Sequence, residues 1–96
     1  MTRSEILTRL EQYKKENSTK YGISSMGIFG SYANGLATDE SDVDIVIETQ
    51  CPDVYILVHI KEELEELFSK PVDIVRNRAT MNPYLKKRID RDAQYV

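Results

Sequence analysis

Two aspartates one residue apart, Asp42 and Asp44, stand at the head of the apolar run Val43-Asp44-Ile45-Val46-Ile47. In an extended strand, side chains at i and i+2 share a face. Both carboxylates therefore project together, while Val43, Ile45 and Ile47 project to the other face, toward a core. Paired carboxylates repel each other unless a cation neutralises them. Oxygen-only ligands suit a hard ion such as Mg²⁺. Taken alone, Asp-x-Asp also fits a solvated strand end, and glycosyltransferases and phosphatases use the same tripeptide.

Ten residues separate Asp42 from an upstream pair, Gly30-Ser31, which follows the apolar segment 23–29. A glycine there lets the backbone approach an anion. The N–H groups that follow, and the serine hydroxyl, can donate to phosphate. Taken alone, the pair also fits an ordinary strand-to-helix turn. A third carboxylate, Asp73, interrupts Val72-Asp73-Ile74-Val75. A charge within such a strand is costly to bury without a partner. Parity sends Val72 and Ile74 to the core and Asp73 to the opposite face. A salt bridge to Arg76 or Arg78 is its simplest structural role. If the strand pairs beside residues 43–48, Asp73 instead joins Asp42 and Asp44. Three carboxylates and a phosphate-binding turn make a two-metal phosphoryl-transfer site.

The elements that must position these residues can be read locally. Thr2 followed by Glu5 fits a capping box, with Ile6, Leu7, Leu10 and Tyr13 at helical spacing after it. The spacing predicts a helix over about residues 3–17, with Asn17 and Gly22 as stop signals. Residues 23–29 and 43–48 read as strands, and 31–35 as one or two helical turns. Pro52 and Asp53 open a long helix to about residue 69. Its first part, residues 54–60, is apolar nearly all round and fits a strand as well. Residues 71–75 form a third strand. Asn82 and Pro83 start a last helix to about residue 92, and residues 93–96 supply an edge strand. The alternation predicts an α/β (α+β) fold, helices packed on a small sheet.

Composition limits the function classes. The 96 residues fit one domain spanning 1–96. With 41% hydrophobic and 30% charged residues, neither a membrane span nor a disordered tail is expected. The net charge of −3 disfavours a strongly basic nucleic-acid binder. One cysteine, Cys51, forbids an internal disulfide. No signal-peptide core is present, so the expected compartment is the cytoplasm. His59, the only histidine, reads as a core or interface residue, and Lys86-Lys87-Arg88 with Arg91 as a solvated basic face, with contact to ATP phosphates or an acidic partner as the rival reading.

Gly30-Ser31-Tyr32-Ala33-Asn34-Gly35, followed by Ser41-Asp42-Val43-Asp44-Ile45-Val46-Ile47, resembles the minimal nucleotidyltransferases of the DNA polymerase beta superfamily. More narrowly, the chain is similar to MntA-type antitoxins, which are encoded beside HEPN-domain ribonuclease toxins. The resemblance implies a short mixed sheet carrying helices, and transfer of AMP from ATP to a tyrosine of the toxin. It implies that Gly30 and Ser31 hold the nucleotide's phosphates. It further implies that Asp42, Asp44 and Asp73 bind two Mg²⁺ ions, with Asp73 helping to activate the acceptor hydroxyl. Family members carry arginines after Gly-Ser, where this chain has Tyr32 and Asn34. Arg76, Arg78, Lys86 and Lys87 are then candidates for the cation facing the triphosphate. A nucleotidyltransferase for small molecules or nucleic-acid ends, and a non-catalytic toxin-binding antitoxin, are the alternatives. The expected partners are the HEPN toxin and ATP, with no membrane and no direct nucleic-acid contact.

Overall fold

The computed structural model describes residues 1–51, 53–77 and 81–96. The order of elements is α1 (Arg3–Tyr21), β1 (Ile23–Phe29), α2 (Ser31–Asn34), β2 (Val43–Thr49), α3 (Val54–Phe68), β3 (Val72–Arg76), α4 (Pro83–Asp92) and β4 (Gln94–Tyr95). Local chemistry starts and stops most of them. The Thr2 hydroxyl accepts from the Glu5 N–H (3.2 Å), and Gly22, at φ +66°, closes α1. That helix outlasts the expected stop at Asn17, whose side-chain amide donates to the Tyr13 carbonyl (3.0 Å) instead of breaking the turn. Asp53 caps α3 by accepting from the Tyr55 N–H (2.9 Å), while Pro52, expected to open that helix, lies outside the described residues. The ambiguous segment 54–60 is helical because it is capped and runs on into an amphipathic stretch that buries Ile60, Leu64 and Phe68. Asn82 accepts from the Tyr84 and Leu85 N–H groups, with Pro83 at the first helical position.

The four strands form one mixed sheet in the order β3-β2-β1-β4. β1 pairs antiparallel with β2 and β4, and β2 pairs parallel with β3 across the α3 crossover. One face carries Met26, Ile28, Ile45 and Ile47, packed with Ile6 and Leu10 of α1 and Ile60 and Leu64 of α3. The other face is half apolar. There Phe29 and Val46 pack with Ile89 of α4, joined by Val75 and Leu85. Sequence alternation anticipates polar residues on that face, and α4 covers the part that is not polar. Among the described residues, no helix is long and apolar enough to cross a membrane.

Glu63 braces α3 to α1. Its Oε1 accepts from the Tyr13 and Tyr21 hydroxyls (3.4 and 2.5 Å). His59 is not in the core: it is largely exposed, 3.5 Å from the same oxygen and edge-on to Tyr21. Burial, and then the Glu63 charge, push the Tyr13 phenol well above its ordinary value. In the unfolded chain a phenol ionises near pH ~10. Above that pH the folded chain holds a proton that the unfolded chain has lost, so stability falls as pH rises. The brace is therefore at full strength below pH ~10 and weakens in alkali. Thermal unfolding followed from neutral into alkaline pH should show this loss, and Tyr13→Phe should flatten it. Equal slopes in the two proteins would remove Tyr13 from the effect.

Candidate active site

The parallel register sets Asp44 directly beside Asp73 on neighbouring strands, with their side chains on the α4 face. Their neighbours Val43, Ile45, Val72 and Ile74 turn into the opposite core, as parity requires. Asp42 lies two residues ahead of Asp44, just before β2, on the same parity. On its other side Asp44 pairs with Phe29, the last residue of β1. Gly30 follows at φ +70° and ψ −148°, a conformation close to one that only glycine adopts readily. A Cβ on Gly30 would overlap the Asp44 carboxylate. The glycine is thus required twice, once for its backbone and once for the space the carboxylate occupies.

Burial, then the negative charge of Asp73, push the Asp44 carboxyl above its ordinary value. Arg88 pulls it back, and Asp42 adds a smaller push upward. Asp44 is half-buried, whereas Asp42 and Asp73 are exposed. No ion pair to Asp73 exists among the described residues, and Arg78, one of its two expected partners, lies outside them. The three carboxylates share a face but do not close on one point. Among the described residues, no three Asp, Glu, His or Cys side chains stand close enough to hold a metal ion by themselves. Like charges without a cation keep apart. Mg²⁺ is commonly held by one or two carboxylates, with phosphate and water completing the shell. This all-oxygen set fits that hard ion in chemistry and charge.

The turn after β1 is built to be firm. The Gly30 carbonyl accepts from the Ala33 and Asn34 N–H groups (3.1 and 3.0 Å), and Tyr32 and Ala33 are buried. The far end is pinned from two directions. The Ala33 carbonyl accepts from Arg3 Nη1 of α1 (3.0 Å) and Gln94 Nε2 of β4 (3.1 Å). The first N–H groups of a helical turn have no acceptor within it. Here they lead away from Ser31, next to Asp44.

A cation reaches the site from the basic run of α4. The Arg88 guanidinium lies over the Phe29 ring, 5.8 Å from its centroid, and its charge acts on Asp44. Of the basic residues singled out from sequence, Lys86 is paired with Asp90 (3.1 Å). Arg76 lines a groove on the β3 edge, Lys87 is exposed, and Arg78 is outside the described residues. Arg88 belongs to the basic run whose rival reading is a phosphate contact. Its signal is spacing: it stands three residues after Leu85 and beside Ile89, on the stripe that α4 turns to the sheet.

The chain is similar in sequence and fold to known proteins. The family model described as nucleotidyltransferase domain matches residues 10–96. A chain of Methanocaldococcus jannaschii, provisionally named a protein adenylyltransferase, is 41% identical over 96 residues, covering 99% of this chain and 98% of that one. The protein adenylyltransferase MntA of Thermococcus cleftensis is 33% identical over 97 residues, covering 100% of this chain and 97% of that one. Among solved structures, a chain from a tri-AMPylated Shewanella oneidensis HEPN toxin in complex with its MNT antitoxin superposes with a TM-score of 0.72. At 16% identity it covers 98% of this chain and 71% of that one, a likeness of fold.

Proposed function

The chain belongs to the nucleotidyltransferase domain family, in its minimal MntA-type branch, and on that premise we propose that it transfers AMP from ATP to a tyrosine of a HEPN-domain toxin and so acts as an antitoxin. The observation that carries this reading is the register pair Asp44 and Asp73 beside Gly30. It sets two carboxylates side by side, one of them against the Gly30 backbone.

In this reading Gly30 and Ser31 receive the triphosphate through backbone N–H groups and the serine hydroxyl. Arg3 and Gln94 hold that turn in place through Ala33. Arg88 offsets part of the phosphate charge that Arg76, Lys86 and Lys87 are less well placed to meet. Asp42, Asp44 and Asp73 would hold two Mg²⁺ ions, which when bound lower the pKa of the acceptor hydroxyl and offset charge on the departing pyrophosphate. The acceptor oxygen forms a bond to the α-phosphorus while the bond to pyrophosphate breaks. Asp73, the exposed carboxylate at the sheet edge, is placed to take the hydroxyl proton. Acceptor and phosphorus must be held in line, which a docked protein supplies by proximity.

Large apolar side chains stand exposed where such a partner would dock, among them Val54 and Tyr55 on α3 and Tyr84 on α4. Exposed patches of this kind mark interfaces. We expect the chain to run as a complex with its cognate HEPN toxin in size-exclusion chromatography with light scattering. Intact mass of the toxin should rise by adenylyl increments only when ATP and Mg²⁺ are both supplied. A chain that neither binds nor modifies that toxin would end the antitoxin reading.

A further inference from the structure

β3 is an edge strand, and its open side is unusually well prepared for another backbone. The Val43 N–H donates to the Pro71 carbonyl (3.0 Å) and the Asn77 N–H to the Ile47 carbonyl (2.8 Å). Main-chain groups alternate sides along a strand. Odd-numbered residues of this segment therefore address β2, and Val72, Ile74 and Arg76 turn their N–H and C=O groups outward. α3 covers one end of that edge, where Glu65 Oε2 accepts the Val72 N–H (3.1 Å). The Ile74 N–H has no acceptor among the described residues. Beside it runs a groove of about 420 Å³, with Val54 and Leu57 of α3 on one bank and Met81 and Leu85 on the other. Natural proteins usually protect such an edge with a bulge, a proline or a charged side chain. Pro71 precedes this strand and Asp73 and Arg76 charge it, but the outward Ile74 N–H between them borders an apolar trough.

We infer that the acceptor protein binds by adding an extended segment to the free edge of β3, with its acceptor tyrosine in register with Asp73. This rests on the reading of the chain as a protein adenylyltransferase and says how its substrate is presented. An added strand would lie about 4.8 Å from β3. A residue directly opposite Asp73 would project onto the same face, its Cβ about 5 Å from that of Asp73. The phenol then enters the site from the open side, where no strand or helix among the described residues blocks it. Its two chain neighbours would turn to the α3 face, against Val54 and Leu57. Residues two positions away would return to the α4 face, against Met81 and Leu85. The geometry therefore selects a tyrosine within an extended, apolar-flanked segment and rejects one in the middle of a helix.

Ile74→Pro tests this with little threat to the sheet. Proline removes only the outward N–H, and edge positions of this kind tolerate it. Ile74→Ala keeps the N–H and controls for the lost side chain. Each whole chain is mixed with the cognate HEPN toxin, Mg²⁺ and ATP labelled at the α-phosphate. No label on the toxin from the wild type would defeat the proposed function, and this inference with it. With transfer established, Ile74→Pro should label the toxin about tenfold or more slowly than Ile74→Ala, the scale of one lost main-chain bond and a blocked approach. ATP binding, measured by calorimetry without toxin, should match in the two variants. In the wild type, exchange of the Ile74 amide should slow by about tenfold or more on adding toxin. Should Ile74→Pro fail to fold, that amide decides the matter alone. Unchanged exchange at Ile74 with transfer intact would overturn the docking mode and leave the activity standing. Protection of the same amide by concentrating the chain alone, unaltered by toxin, would assign the edge to a second copy and also overturn it.

Discussion

Replacing Asp42 and Asp44 together by alanine should abolish nucleotidyl transfer and leave the fold in place. Charge stabilisation by bound metal is worth several kcal/mol of barrier. At 1.36 kcal/mol per factor of ten, its loss lowers the rate by about 10³-fold or more. The fold should survive because neither residue packs in a core. Asp44 is half-buried against Gly30 and pressed by Asp73, which burial and charge both make unfavourable in the absence of a cation. Removing it takes away repulsion, so the metal-free double variant should melt no lower than the wild type. Without its ligands the variant should also lose any stabilisation by Mg²⁺ with ATP. Transfer of label to the toxin and thermal unfolding with and without Mg²⁺·ATP check both halves. Undiminished transfer would remove the two carboxylates from the mechanism.

Gly30→Ala should be nearly as damaging, by a different route. Forcing a non-glycine residue into such a backbone costs about 1–3 kcal/mol. The added Cβ also has nowhere to go, since the Asp44 carboxylate occupies its place. For a domain of this size, each kcal/mol lowers the melting temperature by about 4–8 °C. Relief can come only from swinging Asp44 or shifting the start of α2, and either change misplaces the site. A displacement on the order of 1 Å costs about 10²-fold in rate. Gly35→Ala is the matched control. It too has positive φ, at +83°, but nothing lies within 4 Å of its Cβ position. It should lose stability from the backbone alone and keep most of its activity. If both variants transfer AMP equally well, the close approach at Gly30 has no bearing on catalysis.

Much of this site was legible before any coordinates. Parity along residues 42–47 and 72–75 fixes which side chains point together, because that period is local. Thr2, Gly22, Asp53 and Asn82 mark helix ends for the same reason. The neighbour of each strand was not legible. That β3 lies parallel to β2, in the register that sets Asp73 against Asp44, depends on the α3 crossover and on no residue of either strand. Val46 and Val75 read as odd until α4 is seen covering half of their face. The segment 54–60 carries no clear period because it is apolar nearly all round, and only its cap and its continuation decide for helix. Arg88 reaches the site through the way Ile89 seats α4 on the sheet, a tertiary fact that a run of basic letters conceals.

The parallel register of β2 and β3 also sets rules for how such a chain can lengthen or shorten. Between Thr49 and Pro71 the polypeptide leaves the sheet and returns through α3, so added or lost residues in its exposed connections change a loop and leave the pairing alone. Inside the strand, tolerance ends. One residue inserted between Pro71 and Asp73 would carry the carboxylate to the opposite face and drive a charge among Ile45, Ile60 and Leu64. Descendants of such a sequence can therefore differ freely in total length while the short count from the last strand's start to its aspartate stays fixed.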